Sequence, residues 1–388
     1  MGLIWTCVAV TAMILLIIDV RFSIGVSHLS VDYMKPFMLT SIDTLDVVRS
    51  NTTANATLAA APMDAVTAPS APNLLVYSFF AIHTSYSGYA SNPVEFFKPY
   101  LINRICYLRK HKIAFALQTV DWRKHLQFYK SVTYMKPALV KQIMRLNPQW
   151  LFFMDSDLVI LDFERSLTEY LLEQSTVIVN DHNAALNNGA FFLRNTSDAH
   201  RFLQIWEDIN NGKRAPFIHQ DWPFTDNGAF IEALVQLGMQ DTSASRCGVE
   251  FQRSRQGADF LRCYHTLFDE LSGASFNGVS SRKLPVNVLL SQSMRGFNNH
   301  ECQPHIISEW GWDERACFHQ NETMILHSKI FKLAPVDSQA CVSDEMFNSF
   351  QLEEEGTLLF LPGEDEPCRQ DEDSCNQRAT AFFKHEQG

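Results

Sequence analysis

No CxxC pair occurs anywhere in the 388 residues, so the close thiol spacing of the common structural zinc sites is missing and zinc is disfavoured. No basic cluster occurs either. Thirty-two basic residues stand against 43 acidic ones, a formal net charge of -11, which argues against nucleic acid as the main partner. No Lys or Arg precedes the N-terminal apolar run Leu3 to Ile18, and Arg21 follows it, so the positive-inside rule does not favour a cytoplasmic N-terminus. From Arg49 to Pro72 large apolar residues almost vanish in favour of Asn, Thr, Ala, Ser and Pro. Such a segment cannot offset the entropy of ordering and is expected to be an extended linker. No internal repeat is visible.

What remains is rich in core-forming residues, 46% hydrophobic and 12% aromatic, enough for one large domain or two small ones. As a helix the run Leu3 to Ile18 covers about 24 Å, short for a bilayer unless Asp19 and Arg21 snorkel and the helix continues to Ile24. A cleaved signal peptide is the alternative, with Ser23 and Gly25 near a processing site. Four Asn-x-Ser/Thr sequons, at Asn51, Asn55, Asn195 and Asn321, all follow this run and can be glycosylated only in the secretory lumen. Setting Cys7 aside leaves eight cysteines, an even number that suits disulfides in an oxidising compartment, with pairing left open. The expected order is a single-pass signal anchor (1–24), a stem (25–72), a folded α/β domain (73–345) facing the lumen, and an acidic, cysteine-containing tail (346–388). The tail from Glu353 to Asp373 is expected to be mobile apart from Cys368 and Cys375.

Within the domain, Leu74 to Phe80 and Ile113 to Leu117 read as strands around a helix from about Val94 to His111, a βαβ opening. A helix follows over Met135 to Leu146 and stops at Asn147-Pro148. The organising stretch is Trp150 to Asp162, WLFFMDSDLVILD. Its apolar run is too short for a helix and lacks polar alternation, so it reads as a strand buried on both faces, as in a parallel sheet. Asp155 and Asp157 then stand at its carboxyl end, where open α/β sheets bind ligands, and in a turn both can converge on one hard cation. Further on, a helix is expected from Ser166 to Glu173, a strand over Thr176 to Val179, and a turn and strand in LNNGAFFLRN. Helices are expected over Ser197 to Asn210 and Thr225 to Leu237, then a strand-like run over Met324 to Leu333.

The order of these features resembles the GT-A fold, the Rossmann-like nucleotide-diphospho-sugar transferase domain of Golgi enzymes held by one N-terminal helix. The segments YMKPALVKQIMRLNPQWLFFMDSDLVILD and NNGAFFLRNTSDAHRFLQIW are most similar to glycosyltransferase family 34, the galactosyl, mannosyl and xylosyl transferases and their uncharacterised relatives. That resemblance implies a UDP- or GDP-sugar donor, a glycan or glycoprotein acceptor, Mn²⁺ or another divalent cation, and retention of anomeric configuration. It places the cation on Asp155, Asp157 and the late His327, with Asp157 most directly on the metal and Asp155 nearer the ribose. Lys136 and Lys329 become candidates for the diphosphate, and Asn187, Asn188 and Gly189 for the sugar hydroxyls. Asp226 is a candidate for hydrogen bonding the donor sugar or the acceptor, and Trp222, Trp310 and Trp312 for stacking on acceptor rings.

Two other readings use the same residues. Asp155-Ser156-Asp157-Leu158-Val159 also fits the Asp-x-Asp-x-Val of haloacid-dehalogenase-type phosphohydrolases, with Asp155 as nucleophile, although that motif normally opens its domain. A non-catalytic carbohydrate-binding relative would keep the fold without turnover.

Overall fold

Strand β1 (Leu74–Ile82) is built from the first apolar run and is buried along its whole length. The computed structural model that contains it describes residues 73–83, 93–129, 131–160, 163–172, 174–180, 186, 188–215, 225–239, 244–249, 257–273, 281–284, 288–291, 325–327, 341–364 and 366–385. The expected anchor and stem lie outside these residues. Among the described residues no helix is long and apolar enough to cross a membrane.

Helix α1 (Pro93–His111) ends in Arg109, Lys110 and His111, cations placed where the helix dipole favours them. Strand β2 (Ala114–Asp121) then pairs parallel to β1, which completes the expected βαβ unit. Helix α2 (Lys136–Ile143) is shorter than the expected 135–146 because tight 3₁₀ turns, Val132–Met135 and Met144–Leu146, take up both ends. Asn147, in the left-handed region at φ 60, closes it.

Strand β3 (Trp150–Met154) pairs parallel to β1. It is buried along its whole length as expected, but its pairing on the other side is not parallel. There β3 pairs antiparallel with β6 (Ala190–Arg194), which also runs antiparallel to β5 (Val177–Asn180). The sequence between β5 and β6 is too short for the dozen or more residues a parallel crossover requires. The expected helix at 166–173 is a single 3₁₀ turn, Leu167–Tyr170, held by a Ser166/Glu169 capping box. A segment this short cannot recover the cost of nucleating an α-helix.

The remaining described elements are β4 (Leu158–Ile160), α3 (Ser197–Asn210), α4 (Thr225–Met239), α5 (Gly257–Ser272), β7 (Ser281–Leu284), β8 (Val288–Ser291), β9 (Ile325–His327), α6 (Asp344–Ser349), β10 (Gly356–Phe360), β11 (Cys368–Arg369) and α7 (Asp373–His385). The main mixed sheet runs β11-β10-β2-β1-β3-β6-β5-β8-β7, and β4 and β9 form a separate pair. The stretch expected to be mobile carries two of these strands, β10 and β11. Gly356–Phe360 adds an antiparallel strand to the free side of β2, and its Phe360 ring stacks on Phe115 at 5.4 Å between centroids. The acids at 353–355 hide this strand from a composition argument, because the apolar residues that follow carry the burial.

Alternation along the central strands divides the core between the two faces of the sheet. Val76 and Phe80 of β1, Trp150, Phe152 and Met154 of β3, and Phe192 of β6 pack with α1. Tyr77 and Phe79, Leu151 and Phe153, and Phe191 and Leu193 pack with α2, α3 and α4. Helix α3 shows how its face was chosen. Thr196 caps it by accepting the Ala199 N–H, and Ala199, Phe202, Leu203, Trp206 and Ile209 line its buried stripe at the i, i+3, i+4, i+7 spacing of an amphipathic helix. The continuation of β3 leaves Asp155 on the same side as Leu151 and Phe153, facing α2.

Three disulfides settle part of the open pairing: Cys106–Cys341, Cys247–Cys263 and Cys368–Cys375. Cys302 and Cys317 lie outside the described residues. The second bridge sits beside a buried polar knot that anchors α4. Glu232 accepts from the Ser245 N–H at 2.6 Å, the Ser245 hydroxyl at 2.6 Å, the Gln236 amide at 2.7 Å and the Tyr264 hydroxyl. Burial raises the Glu232 pKa, and these four donors only partly offset that. Glu232→Ala would strand several buried donors and is expected to cost on the order of 3 kcal/mol. A urea titration reads it as a lower midpoint at unchanged slope.

Candidate functional site

The loop after β3 turns at once: Leu158 N–H donates to the Asp155 carbonyl at 3.2 Å, and Asp155 N–H donates to the Gly189 carbonyl at 2.7 Å. The first bond folds Asp155-Ser156-Asp157 into a turn. The second ties that turn to the Asn-Asn-Gly segment entering β6, so two separate motifs meet at the carboxyl end of β3. Gly189 is buried.

Lys136, at the start of α2, points into the same place and is only 3% exposed. Its ammonium lies 3.0 and 3.1 Å from the two Asp155 carboxylate oxygens, 3.2 Å from Asp226 Oδ2 and 2.8 Å from Asn188 Oδ1. Asn188 closes the arrangement, since its Nδ2 donates to Asp226 Oδ2 at 3.1 Å and its backbone N–H donates to Asn227 Oδ1 at 2.8 Å. Asp226 stands in the first turn of α4, where the helix dipole favours a carboxylate. Four elements thus deliver one side chain each to a common point: α2, the end of β3, the turn before β6 and the start of α4.

Burial dominates the electrostatics. It pushes the Asp155 carboxyl up to about 6, against the pull of Lys136, with Asp157 and Asp226 adding repulsion. Burial likewise works against the Lys136 ammonium, yet Asp155 and Asp226 outweigh it and its pKa stands above the ordinary lysine value. A low-dielectric site of this kind makes each charge sensitive to the others.

Beneath the turn lies Arg104 of α1, fully buried. Burial lowers its pKa to about 9, with Asp157 and then Asp155 pulling the other way. Residue type alone does not single out Arg104, although the sequence carries a signal: it falls on the same stripe as Phe97, Tyr100, Leu101, Ile105 and Leu108, all buried. A charge on an apolar stripe needs a partner inside. Nor does it single out Asn227, one of several polar residues at a helix start.

The structure therefore brings Asp155, Lys136, Asn188, Gly189 and Asp226 together, with Asp157 in the same turn. Asn187, Lys329, Trp222, Trp310 and Trp312 lie outside the described residues. For His327 the backbone alone is described, and it is paired with Leu158 across the β4–β9 ladder, one residue beyond Asp157. Among the described residues no group of three His, Cys, Asp or Glu side chains is gathered as a metal site.

Two solved structures overlap parts of the chain. A glycosyltransferase involved in the glycosylation of the major capsid of PBCV-1 does so at 11% identity and TM-score 0.35, over 72% of this chain and 100% of its own. The glycosyltransferase GlyE of Streptococcus pneumoniae TIGR4 does so at 13% identity and TM-score 0.28, over 67% of this chain and 55% of its own. Scores this low carry no weight for the fold or for function. No curated protein matches the chain. Residues 71–177, from the start of β1 through the acid turn to the start of β5, match the galactosyl transferase GMA12/MNN10 family, and the protein is a glycosyltransferase similar to that family.

Proposed function

We propose that the protein moves a hexose or pentose from a UDP- or GDP-sugar to a glycan or glycoprotein acceptor, with help from Mn²⁺ or another divalent cation and with retention at the anomeric carbon. The observation that carries this reading is the convergence of Lys136, Asn188 and Asp226 on Asp155 at the carboxyl end of β3. A nucleotide-sugar donor is what glycosyl transfer by this family requires. The family match also turns aside the phosphohydrolase alternative.

The donor set fits a divalent cation. Asp155 and Asp157 offer carboxylate oxygens, and the β9 register sets His327 opposite Leu158, a combination that suits Mn²⁺. Lys136 already contacts both oxygens of Asp155, so we assign the cation chiefly to Asp157 and His327 and turn Asp155 towards the ribose. When bound, the cation supplies charge neutralisation for a nucleoside-diphosphate leaving group.

The chain's own residues do the rest. Lys136 holds Asp155 and Asp226 in one geometry and keeps Asp155 ionised more readily than burial alone would allow. Asn188, buried and fixed through both ends of its amide, holds Asp226, whose carboxylate is offered to sugar hydroxyls. Because these groups are positioned before substrate arrives, little reorganisation opposes the reaction. The secretory lumen, with a membrane anchor in residues 1–24 or secretion after cleavage, completes the proposal. The sequons and the three disulfides support it.

Calorimetric titration of the full chain with UDP- and GDP-sugars, with and without Mn²⁺, tests this reading. Saturable binding of one nucleotide class that requires the metal is the expected result. A folded chain that binds neither class under any metal condition would overturn it.

A further inference from the structure

We infer that Arg104 is a positioning residue for the acid turn: its guanidinium, locked between β1 and the turn, sets the backbone from which Asp155 and Asp157 project. This rests on the reading of those acids as the donor and cation site. Arg104 Nη2 donates to the Asp155 carbonyl at 2.8 Å and the Leu158 carbonyl at 3.2 Å, the two ends of the turn. Its Nη1 donates to Ser78 Oγ at 2.5 Å, and that hydroxyl donates in turn to the Met154 carbonyl at 2.5 Å. One planar fork thus spans the last residue of β3, through Ser78, and both ends of the turn that follows. Only arginine presents several donors in such a fixed plane.

The same helix continues the hold downstream. Asn103 donates to the Ile160 carbonyl at 3.0 Å and accepts the Ile160 N–H at 2.9 Å. Tyr107 donates to the Arg165 carbonyl at 2.7 Å and accepts the Leu167 N–H at 2.8 Å. Every described hydrogen bond of Arg104 on the turn is to main chain, so the guanidinium fixes the backbone of the turn and its positive charge sits below the acids. A buried guanidinium is costly unless it meets opposite charge. Asp157 and Asp155 supply that charge, and Arg104 in return relieves the repulsion between two adjacent carboxylates.

The test compares the full-length wild type with Arg104→Lys, Arg104→Gln and, as a control from the same helix, Tyr107→Phe. Folding is followed by circular dichroism, the turn by amide hydrogen exchange in a peptide covering 154–160, and Mn²⁺ affinity by the electron paramagnetic resonance of the free ion, alone and with UDP or GDP. Arg104→Lys keeps the charge but loses the fork. It is expected to fold, to exchange faster in the turn and to bind Mn²⁺ about tenfold or more weakly, the size of loss seen when groups behind a metal ligand are removed. Arg104→Gln is expected to lose more, and Tyr107→Phe to leave Mn²⁺ affinity unchanged. A folded Arg104→Lys chain within about twofold of wild type overturns the proposal, as does an equal loss in Tyr107→Phe. If neither Arg104 variant folds, Arg104 is a core residue only and the proposal falls. If wild type binds nucleotide without metal, the cation assignment fails and nucleotide affinity replaces Mn²⁺ as the readout. If it binds neither, the donor-site reading fails, and unchanged exchange at 154–160 in Arg104→Lys then overturns the positioning role.

Discussion

Lys136→Met is expected to lower kcat/KM by ~10²-fold or more, because the ammonium holds Asp155 and Asp226 in one geometry and misplacing such groups by about 1 Å costs on the order of 10²-fold. Methionine matches the lysine stem in length, so the packing around Phe153, whose ring lies 5.5 Å from the ammonium, is kept while the charge is lost. Without it Asp155, Asp226 and Asn188 Oδ1 face one another with no cation between them. The direction of the pH effect follows from the same contacts. Lys136 pulls the Asp155 pKa down from where burial would set it, and with the ammonium present it stands at about 6. Removing the ammonium raises it further, so in the variant Asp155 stays protonated to higher pH. The acid limb of the kcat/KM profile should therefore move to higher pH, and a pH–rate series on wild type and variant reads this directly. An unshifted limb would show that Asp155 does not titrate in the rate-determining form of the enzyme. Lys136→Arg should recover little, since a wider guanidinium does not fit a site where one nitrogen meets three side chains.

Asp157→Asn is expected to abolish metal-dependent nucleotide binding while leaving the fold intact. The substitution changes little volume and the Asp157 side chain is not buried, but it removes a charge that offsets the buried Arg104, so a stability loss of about 1–3 kcal/mol without unfolding is expected. The cation, however, loses the carboxylate that Lys136 does not hold. Calorimetric titration with the preferred nucleotide in Mn²⁺ should show binding reduced at least to that of metal-free wild type. Wild-type affinity in Asp157→Asn would move the cation to other ligands or remove it from the reaction. A Tm measured alongside separates these outcomes from simple unfolding.

The two substitutions also separate the parts of the site. Lys136 acts on the geometry and ionisation of Asp155, so its loss should appear mainly in kcat and in the pH profile. Asp157 acts on the cation, so its loss should appear first in donor affinity and should depend on Mn²⁺ concentration.

Local pattern determined much of this protein. An uninterrupted apolar run makes β3 a strand buried on both faces, and the acids that end it stand at a sheet edge whatever the neighbouring strands do. The capped, periodic segment 197–210 can be little other than helix α3, and the βαβ opening follows from two apolar runs around one helix. Asp155 and Asp157 could be named from their place at the end of an apolar strand, and Lys136, Asn188 and Asp226 from the family resemblance. Their mutual contacts could not, because Lys136 and Asp226 stand 90 positions apart and meet only where α2 and α4 pack on the same face of the sheet. Tertiary structure alone decided that β6 runs antiparallel to β3, that residues 356–360 close the free side of β2, and that the charge on the apolar stripe of α1 is Arg104 lying beneath the acid turn. Strand direction, edge pairing and the partner of a buried charge depend on residues far away in sequence. Burial makes those distant partners obligatory without saying which they are.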